Sequence, residues 1–408
     1  MVCVFEYFSV DSDGQRWVIE RETRQVTNIG DAESCRSSAT WNAAGEIGRG
    51  RLPSSRFWRC VPRSPAAMTA VPGLGEATMV LRRLALDPSV RIAVAVWIAA
   101  NGFALLLAGG RLPFDRPALA GIPFAVQMAA PTIGMVQILL LLALIYWLTR
   151  NRVVPDVAGR APARSTAARE TFALLAYAAA GQAGGWIVGP ALGYRPFSFH
   201  IAGTVYGCST IPAPGEFATW AIYNFVVFAV VPYLWFRRRY DATQLCLRSV
   251  DRRNDLLVIV VVCLFDGAFE LATLGTGFFH LNPRQIMLGA PLAFILFFIG
   301  TVLPTMVLIY SILLPRYLKL TGSATATVFL GGLTYAVMHL VEGWSAFDSP
   351  RDTALSLIFV FLGYTGPGMV KSLITLRTGN AWVHTIAYHV VAPHVIVDTP
   401  LVVHAFGI

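Results

Sequence analysis

Histidine side chains are concentrated near the end of this sequence, where they could bind a metal ion or transfer protons. Five of the seven histidines follow residue 338, and the segment AWVHTIAYHVVAPHVIVD contains His389, His394 and Asp398. Neutral imidazole is the commonest metal ligand in proteins and changes its protonation near physiological pH. We therefore take His339, His389, His394 and Asp398 as candidate metal ligands, with a divalent ion such as zinc as the candidate cofactor.

The spacing within that segment limits how the histidines can cooperate. His384, His389 and His394 are five residues apart, and five residues turn an α-helix by about 140° beyond a full turn. The three side chains would spiral around an α-helix unless it bends. Pro393 could bend it, because its ring displaces the carbonyl group of His389. His394 and Asp398 are four residues apart and should share one face.

Acidic residues lie inside apolar segments, where a charge at the bilayer centre costs about 2.5–3.5 kcal/mol on insertion scales. Asp266 and Glu270 occur in VVCLFDGAFELATLG, four apart and therefore on one helix face. His339 and Glu342 are three apart in GLTYAVMHLVEGW. Such residues are functional candidates by default. The candidate catalytic residues are His339, His389, Glu270 and Glu342.

Structural alternatives exist for each of these polar residues. Asp266 and Glu270 could form structural ion pairs with Lys371, which lies inside another apolar segment, or with Arg284. Glu342 could be a solvated acid at the outer membrane interface. A lone intramembrane histidine could serve only to hydrogen-bond a neighbouring helix.

Composition defines the elements that must position these residues. Hydrophobic residues make up 55% of the 408, charged residues 13%, and the mean hydropathy is +0.59, whereas a soluble protein carries about 25% charged residues. Such a chain is neither water-soluble nor disordered. Its apolar runs are long enough to cross a bilayer and number nine: Ile92–Gly109, Ile122–Leu148, Phe172–Leu192, Phe217–Phe236, Leu256–Leu274, Ile286–Leu314, Ala324–Val341, Ala354–Leu376 and Ala381–Val397. The sixth contains Pro291 and Pro304 and should be kinked or broken.

Loop charges give these spans a direction. With the N-terminus in the cytoplasm, the inner loops carry most of the loop arginines and lysines, as the positive-inside rule requires. The net charge of +9 is then an orientation signal, and we predict a lipid bilayer but no nucleic acid as partner. The predicted fold is an all-α polytopic membrane helix bundle of about nine transmembrane helices. Residues 1–88 form a polar region expected to be disordered, and residues 89–408 form the transmembrane domain.

The last hundred residues resemble the CAAX-protease and bacteriocin-processing (CPBP, or Abi) family of intramembrane proteases. ILLPRYLKLTGSATATVFLGGLTYAVMHL is similar to the stretch between the family's first two motifs, with Tyr335-x-x-x-His339 for F-x-x-x-H. LRTGNAWVHTIAYHVVAP is similar to the approach to the third motif, with His389 as its histidine. The resemblance implies a CPBP-like core at about residues 255–400, a multi-pass protein of the bacterial plasma membrane, and a membrane-bound peptide or protein substrate.

The chain departs from the family where the catalytic acids should be. The paired glutamates of E-E-x-x-x-R would fall near Thr305 and Met306 and the arginine near Tyr310, and none of the three is kept. Pro393 stands where the third motif has Asn or Asp. In the family the glutamate is thought to activate water, so this chain is either a non-proteolytic relative or takes its acid from elsewhere.

Helix depth suggests a replacement for the missing acid. At 1.5 Å per residue, Glu270, His339 and His394 all lie about 20–22 Å from the inner ends of their helices, so Glu270 or Asp266 could meet the histidines. The resulting hypothesis is a divergent CPBP-type endopeptidase or a non-proteolytic relative. The alternatives are a multi-pass transporter or channel with a polar His/acid pathway, and a non-catalytic membrane scaffold.

Overall fold

The structure, a computed structural model, describes residues 85–114, 116, 121–201 and 210–408, together with three strands in the first 61 residues. The strands are β1 (Val2–Val10), β2 (Arg16–Gln25) and β3 (Arg56–Val61). They form an antiparallel sheet in the order β2-β1-β3, with Val2 opposite both Gln25 and Val61. Met1–Leu84 and Ala85–Ile408 are separate compact units. Most of the stretch expected to be disordered lies outside the described residues.

The second unit is all-α. Its helices are α1 (Pro88–Ala108), α2 (Phe124–Leu148), α3 (Arg164–Ala191), α4 (Pro214–Arg237), α5 (Arg252–Ala272), α6 (Pro283–Thr321), α7 (Ala324–Val337), α8 (Pro350–Thr378), α9 (Ala381–Val397) and α10 (Thr399–Phe406). Two short 3₁₀ segments lie between these helices: Ala158–Arg160 between α2 and α3, and Leu274–His280 after α5. Helices α1 to α9 coincide in position with the nine predicted apolar runs.

Length and composition make this unit a multi-pass membrane domain. Six helices, α1 to α4, α6 and α8, are long and apolar enough to cross a bilayer. The count rises to eight if α5 with its 3₁₀ segment, bent by 77°, and α9 with α10, bent by 45°, are each one span. Helix α7 is shorter. The predicted fold class, an all-α polytopic membrane bundle, is therefore confirmed. The described residues contain six to eight long spans and one short apolar helix, compared with the nine spans predicted.

Several spans contain π-helical turns, in which each amide bonds the carbonyl five residues earlier. They cover Phe225–Val230 of α4, Phe298–Val302 and Met306–Leu313 of α6, and Thr385–Val397 of α9. In α6, Pro304 lies between the two π segments, so the proline changes the hydrogen-bond pattern while the helix continues. The predicted break of the sixth run is thus a local change of helix type.

Helices α7 and α8 pack with almost no side chain between them. A methyl group at Gly332 of α7 would lie 2.6 Å from the carbonyl oxygen of Thr365, and one at Gly368 of α8 would lie 2.7 Å from the Gly332 Cα. Small residues permit such close approach of membrane helices. The contact fixes Tyr335, one turn after Gly332, against α8.

A buried ion pair joins the ends of four helices. Arg152, just after α2, lies 2.6 Å from Asp255 of α5 through Nη1 and donates through Nη2 to the carbonyl of Thr378 in α8. The other Asp255 oxygen accepts from Ser249 Oγ at 2.6 Å and from Asn380 Nδ2 at 3.0 Å. We call these four residues (Arg152, Ser249, Asp255, Asn380) the Arg152–Asp255 network.

The C-terminal end of α1 is capped by a distant side chain. Arg351, in the first turn of α8, donates through Nε to the Leu107 carbonyl at 2.7 Å and through Nη2 to the Ala108 carbonyl. A cation there neutralises the partial negative charge of the helix end. Otherwise α1 is peripheral, since only 6% of its apolar window is buried in the protein.

Candidate functional site

The three histidines of α9 form a row, contrary to the expectation that they spiral around the helix. The ring centroids of His384 and His389 are 6.4 Å apart, and those of His389 and His394 are 5.4 Å apart. The prediction was wrong because it assumed α-helical geometry. Thr385–Val397 is π-helical, and the wider turn of a π-helix brings side chains five residues apart closer to one face than an α-helix does. We call these three residues the histidine row.

His394 is held by a carboxylate. Its Nδ1 lies 2.8 Å from Asp398 Oδ2, and both side chains are buried. The predicted shared face of His394 and Asp398 is therefore present. The imidazole also stacks on Phe297 of α6, with centroids 4.8 Å apart and planes 2° apart. An Nδ1–H that donates to Asp398 leaves the lone pair on Nε2, and this buried Nε2 makes no hydrogen bond with any residue that the structure describes.

The other two members of the row contact hydroxyl groups. His389 Nε2 lies 3.3 Å from the Tyr335 hydroxyl, and His384 Nδ1 lies 3.1 Å from Thr375 Oγ1. His389 Nδ1 and His384 Nε2 are buried and find no hydrogen-bond partner in the described ranges. Each of these two histidines therefore links α9 to a neighbouring helix through one ring nitrogen only.

A second set of side chains converges beside the row: His200, His339 and Glu342. The His200 ring lies 4.3 Å from that of His339 and 5.7 Å from that of His394, centroid to centroid. His200 Nδ1 is 3.7 Å from Glu342 Oε1. One ligand atom from each of the three residues lies within 4.8 Å of the others. We call this set the His200–His339–Glu342 group.

Burial and hydrogen bonding define the chemistry of this group. His339 is 0% exposed and Glu342 is 3% exposed, so Glu342 is not the solvated interfacial acid of the alternative interpretation. His339 Nδ1 lies 2.7 Å from the carbonyl oxygen of Tyr335. Only a protonated Nδ1 can donate to a carbonyl, so the Nε2 of neutral His339 is a lone-pair donor. That Nε2 and Glu342 Oε1 make no hydrogen bond within the described part of the chain.

A cavity of about 500 Å³ adjoins both sets of histidines. His200 and His394 line it together with both carboxylates of α5, Asp266 and Glu270, and with Lys371. Glu270 and His394, which helix depth places at a similar level, both line this cavity. His339 is not in the cavity wall, but its neighbour His200 is.

The structural ion pairs considered for α5 are not formed. Lys371 Nζ lies 3.5 Å from the centroid of the Tyr335 ring, which makes a cation–π contact. Asp266 Oδ1 accepts from Gln137 Nε2 at 3.2 Å, and Glu270 Oε2 is buried with no hydrogen-bond partner among the described residues. Glu270 is therefore a carboxylate at a cavity wall with one oxygen unused.

The predicted site residues do not all belong to one cluster. Of the candidate catalytic residues, His339 and Glu342 lie together, Glu270 lines the adjoining cavity, and His389 contacts Tyr335. Of the four candidate metal ligands, only His339 belongs to the three-residue group that could hold an ion within the described part of the chain.

Sequence reasoning missed His200 entirely. It lies in the connection after α3, outside every predicted span, and has no chemical partner nearby in sequence. The available signal was the apolar context PFSFHI, since Phe197, Phe199 and Ile201 are all buried. An apolar connection between two spans indicates chain that folds back into the bundle.

The positions of the absent family glutamates contain no acid in the structure either. Thr305 and Met306 are buried in α6, and the Tyr310 ring lies 4.4 Å from His384. No protein-family model, curated protein or solved structure matches this chain.

Proposed function

We propose that this chain is an intramembrane hydrolase of CPBP type that cleaves a peptide bond in a membrane-bound polypeptide. The observation that carries the proposal is a cavity inside an apolar helix bundle that both Glu270 and His394 line. A carboxylate and an imidazole that share a cavity are the elements of general acid–base catalysis. The CPBP-like motifs of the last hundred residues support the choice of an amide as substrate.

Each residue has a defined role in this proposal. Glu270 accepts a proton from water while the water oxygen forms a bond to the substrate carbonyl carbon. The C–N bond then breaks as the leaving nitrogen takes up that proton. Asp398 orients the His394 ring, whose Nε2 accepts a hydrogen bond from the attacking water. Lys371 and Tyr335 supply positive charge and a hydroxyl near the developing oxyanion.

Replacement of Glu270 tests the proposal. The full chain, reconstituted in liposomes with quenched fluorescent transmembrane peptides, is expected to release cleaved product. Glu270→Gln keeps the shape but removes the base, so we expect the rate to fall by about 10²–10⁴-fold. His394→Gln should reduce it in the same range.

Two matched variants control for general damage. Asp241→Asn and His404→Gln change side chains of the same types at exposed positions and should leave the rate unchanged. If Glu270→Gln and His394→Gln cleave as fast as the unmodified chain, the proposed roles are wrong.

A proton-conducting transporter or channel is the second candidate, because the imidazoles form a continuous series. The histidine row continues from His394 to His200 and then His339, with ring centroids 4.3–6.4 Å apart at each step. Imidazoles at this spacing can pass protons in turn. This candidate predicts proton flux in liposomes that His389→Gln abolishes, whereas the hydrolase predicts peptide cleavage without flux.

A further inference from the structure

We infer that His200, His339 and Glu342 bind one divalent transition-metal ion of the zinc class. The inference depends on the arrangement of these three side chains and is independent of the proposed hydrolysis. The site differs from the ligand set that the sequence predicted, since it takes its ligands from the connection after α3 and from the turn after α7.

The donor set suits such an ion. Two imidazole nitrogens and one carboxylate oxygen are the protein ligands of many zinc sites that keep a fourth position open. A tetrahedral zinc with bonds of about 2.0–2.1 Å holds its ligand atoms roughly 3.3 Å apart. His200 Nδ1 and Glu342 Oε1 are already 3.7 Å apart, and all three ligand atoms lie within 4.8 Å of one another. Small side-chain rotations would close the site.

The contacts of His339 fix the tautomer and the ring orientation that a metal ligand needs. A metal-bound histidine usually donates its second ring N–H to a carbonyl or carboxylate, which fixes the tautomer. The Nδ1 of His339 donates to the Tyr335 carbonyl in this way at 2.7 Å. Tyr364 stacks on the same ring, with centroids 4.1 Å apart. The ring is therefore held in place with its lone pair on Nε2.

Two atoms of the group are left without a hydrogen bond among the described residues and are free to contact a metal ion. His339 Nε2 and Glu342 Oε1 are buried and make no hydrogen bond with any described residue. Burial of such groups is unfavourable unless they are paired or coordinate a metal. A single cation would satisfy both atoms and would neutralise the carboxylate. His200, which lines the cavity, connects the site to a route by which an ion could enter.

Metal content tests the inference directly. The full chain is purified in detergent, freed of metal, exposed to Zn²⁺ or Co²⁺ and desalted, and bound metal is measured by mass spectrometry. We expect about one ion per chain, as for a mononuclear site. His339→Gln and Glu342→Gln should weaken binding by more than the roughly 10–100-fold caused by loss of an outer-shell partner.

Matched variants separate this site from the sequence-predicted one. His389→Gln, His394→Gln and His404→Gln should retain the ion. If His394→Gln loses it while His339→Gln keeps it, the inferred ligand set is wrong. If the unmodified chain binds neither ion, the site does not exist.

Replacing one metal-binding side chain by another tests the site even if the variants that lack a ligand fold poorly. His200→Cys replaces an imidazole by a thiolate and should still bind Co²⁺, with a new thiolate-to-metal absorption band. Cobalt bound without that band would overturn the assignment of His200. Peptide cleavage by a protein that binds neither ion would overturn only this inference, and metal binding without cleavage of any peptide only the proposed hydrolysis.

Discussion

The carboxylates of the Arg152–Asp255 network and of the His200–His339–Glu342 group are both buried, but within the described part of the chain they differ in how completely their oxygens are hydrogen-bonded. Both carboxylate oxygens of Asp255 accept hydrogen bonds, one of them from two donors. Glu342 Oε1 and His339 Nε2 have none. Buried polar groups that serve structure are normally satisfied. The contrast therefore separates a structural tie between helix ends from a site arranged for a ligand.

The same contrast applies to Arg152 and Lys371. As a loop arginine, Arg152 counts toward membrane orientation in the sequence, yet its side chain is 1% exposed and paired. Lys371 lies within α8 and contacts the Tyr335 ring at the cavity. A charge in a loop can thus be structural, and one within a span can belong to a site.

The largest expected effect on stability comes from disrupting the Arg152–Asp255 network. Asp255→Asn leaves the buried Arg152 guanidinium without its counterion, so we expect a loss of about 3–5 kcal/mol in the free energy of unfolding. Thermal unfolding in detergent, followed by tryptophan fluorescence, measures the change. Glu342→Gln is the matched variant and should cost less than about 1 kcal/mol, because its Oε1 makes no hydrogen bond that would be lost. Equal losses of unfolding free energy in Asp255→Asn and Glu342→Gln would show that the two carboxylates do not differ in structural role.

An intermediate effect is expected at the contact between α7 and α8. In Gly368→Ala the added methyl group meets the Gly332 backbone, and overpacking of this kind costs about 1–3 kcal/mol. Metal binding should weaken as well, because α7 carries the Tyr335 carbonyl that orients His339. Gly134→Ala serves as control, since nothing lies within 4 Å of a methyl group there. A stable Gly368→Ala protein with full metal affinity would contradict the packing argument.

The smallest expected effect comes from Tyr335→Phe. This variant removes only the hydroxyl contact with His389 at 3.3 Å, which is worth about 0.5–1.5 kcal/mol. Metal content should stay the same, because His339 is oriented by the backbone carbonyl of residue 335 and not by its hydroxyl. Loss of the ion in Tyr335→Phe would show that the side chain organises the site.

Most of the fold could be predicted from the sequence because lipid imposes a single strong requirement. A helix that crosses a bilayer must be apolar over about 20 residues, and all nine predicted runs correspond to helices. The contact of His394 with Asp398 followed from their spacing of four. Local periodicity and hydropathy were sufficient for both.

The rest of the site depended on features with no local signal. The histidine row exists because Thr385–Val397 is π-helical, a change of hydrogen-bond pattern that spacing alone does not indicate. His200 reaches the site through a connection that folds back into the bundle, so its partners are more than 130 residues away in sequence. Glu342 is buried by the same long-range packing.

The Arg351 cap on α1 has a consequence for assembly in the cell. The arginine and the carbonyl of Leu107 are 244 residues apart in sequence, and a chain is made from its N-terminus. Helix α1 therefore enters the bilayer before Arg351 is synthesised, and it must stay helical there without this cap. Its mean hydropathy of 2.0 and its low burial within the described protein suit a helix that is stable in lipid before its cap is present.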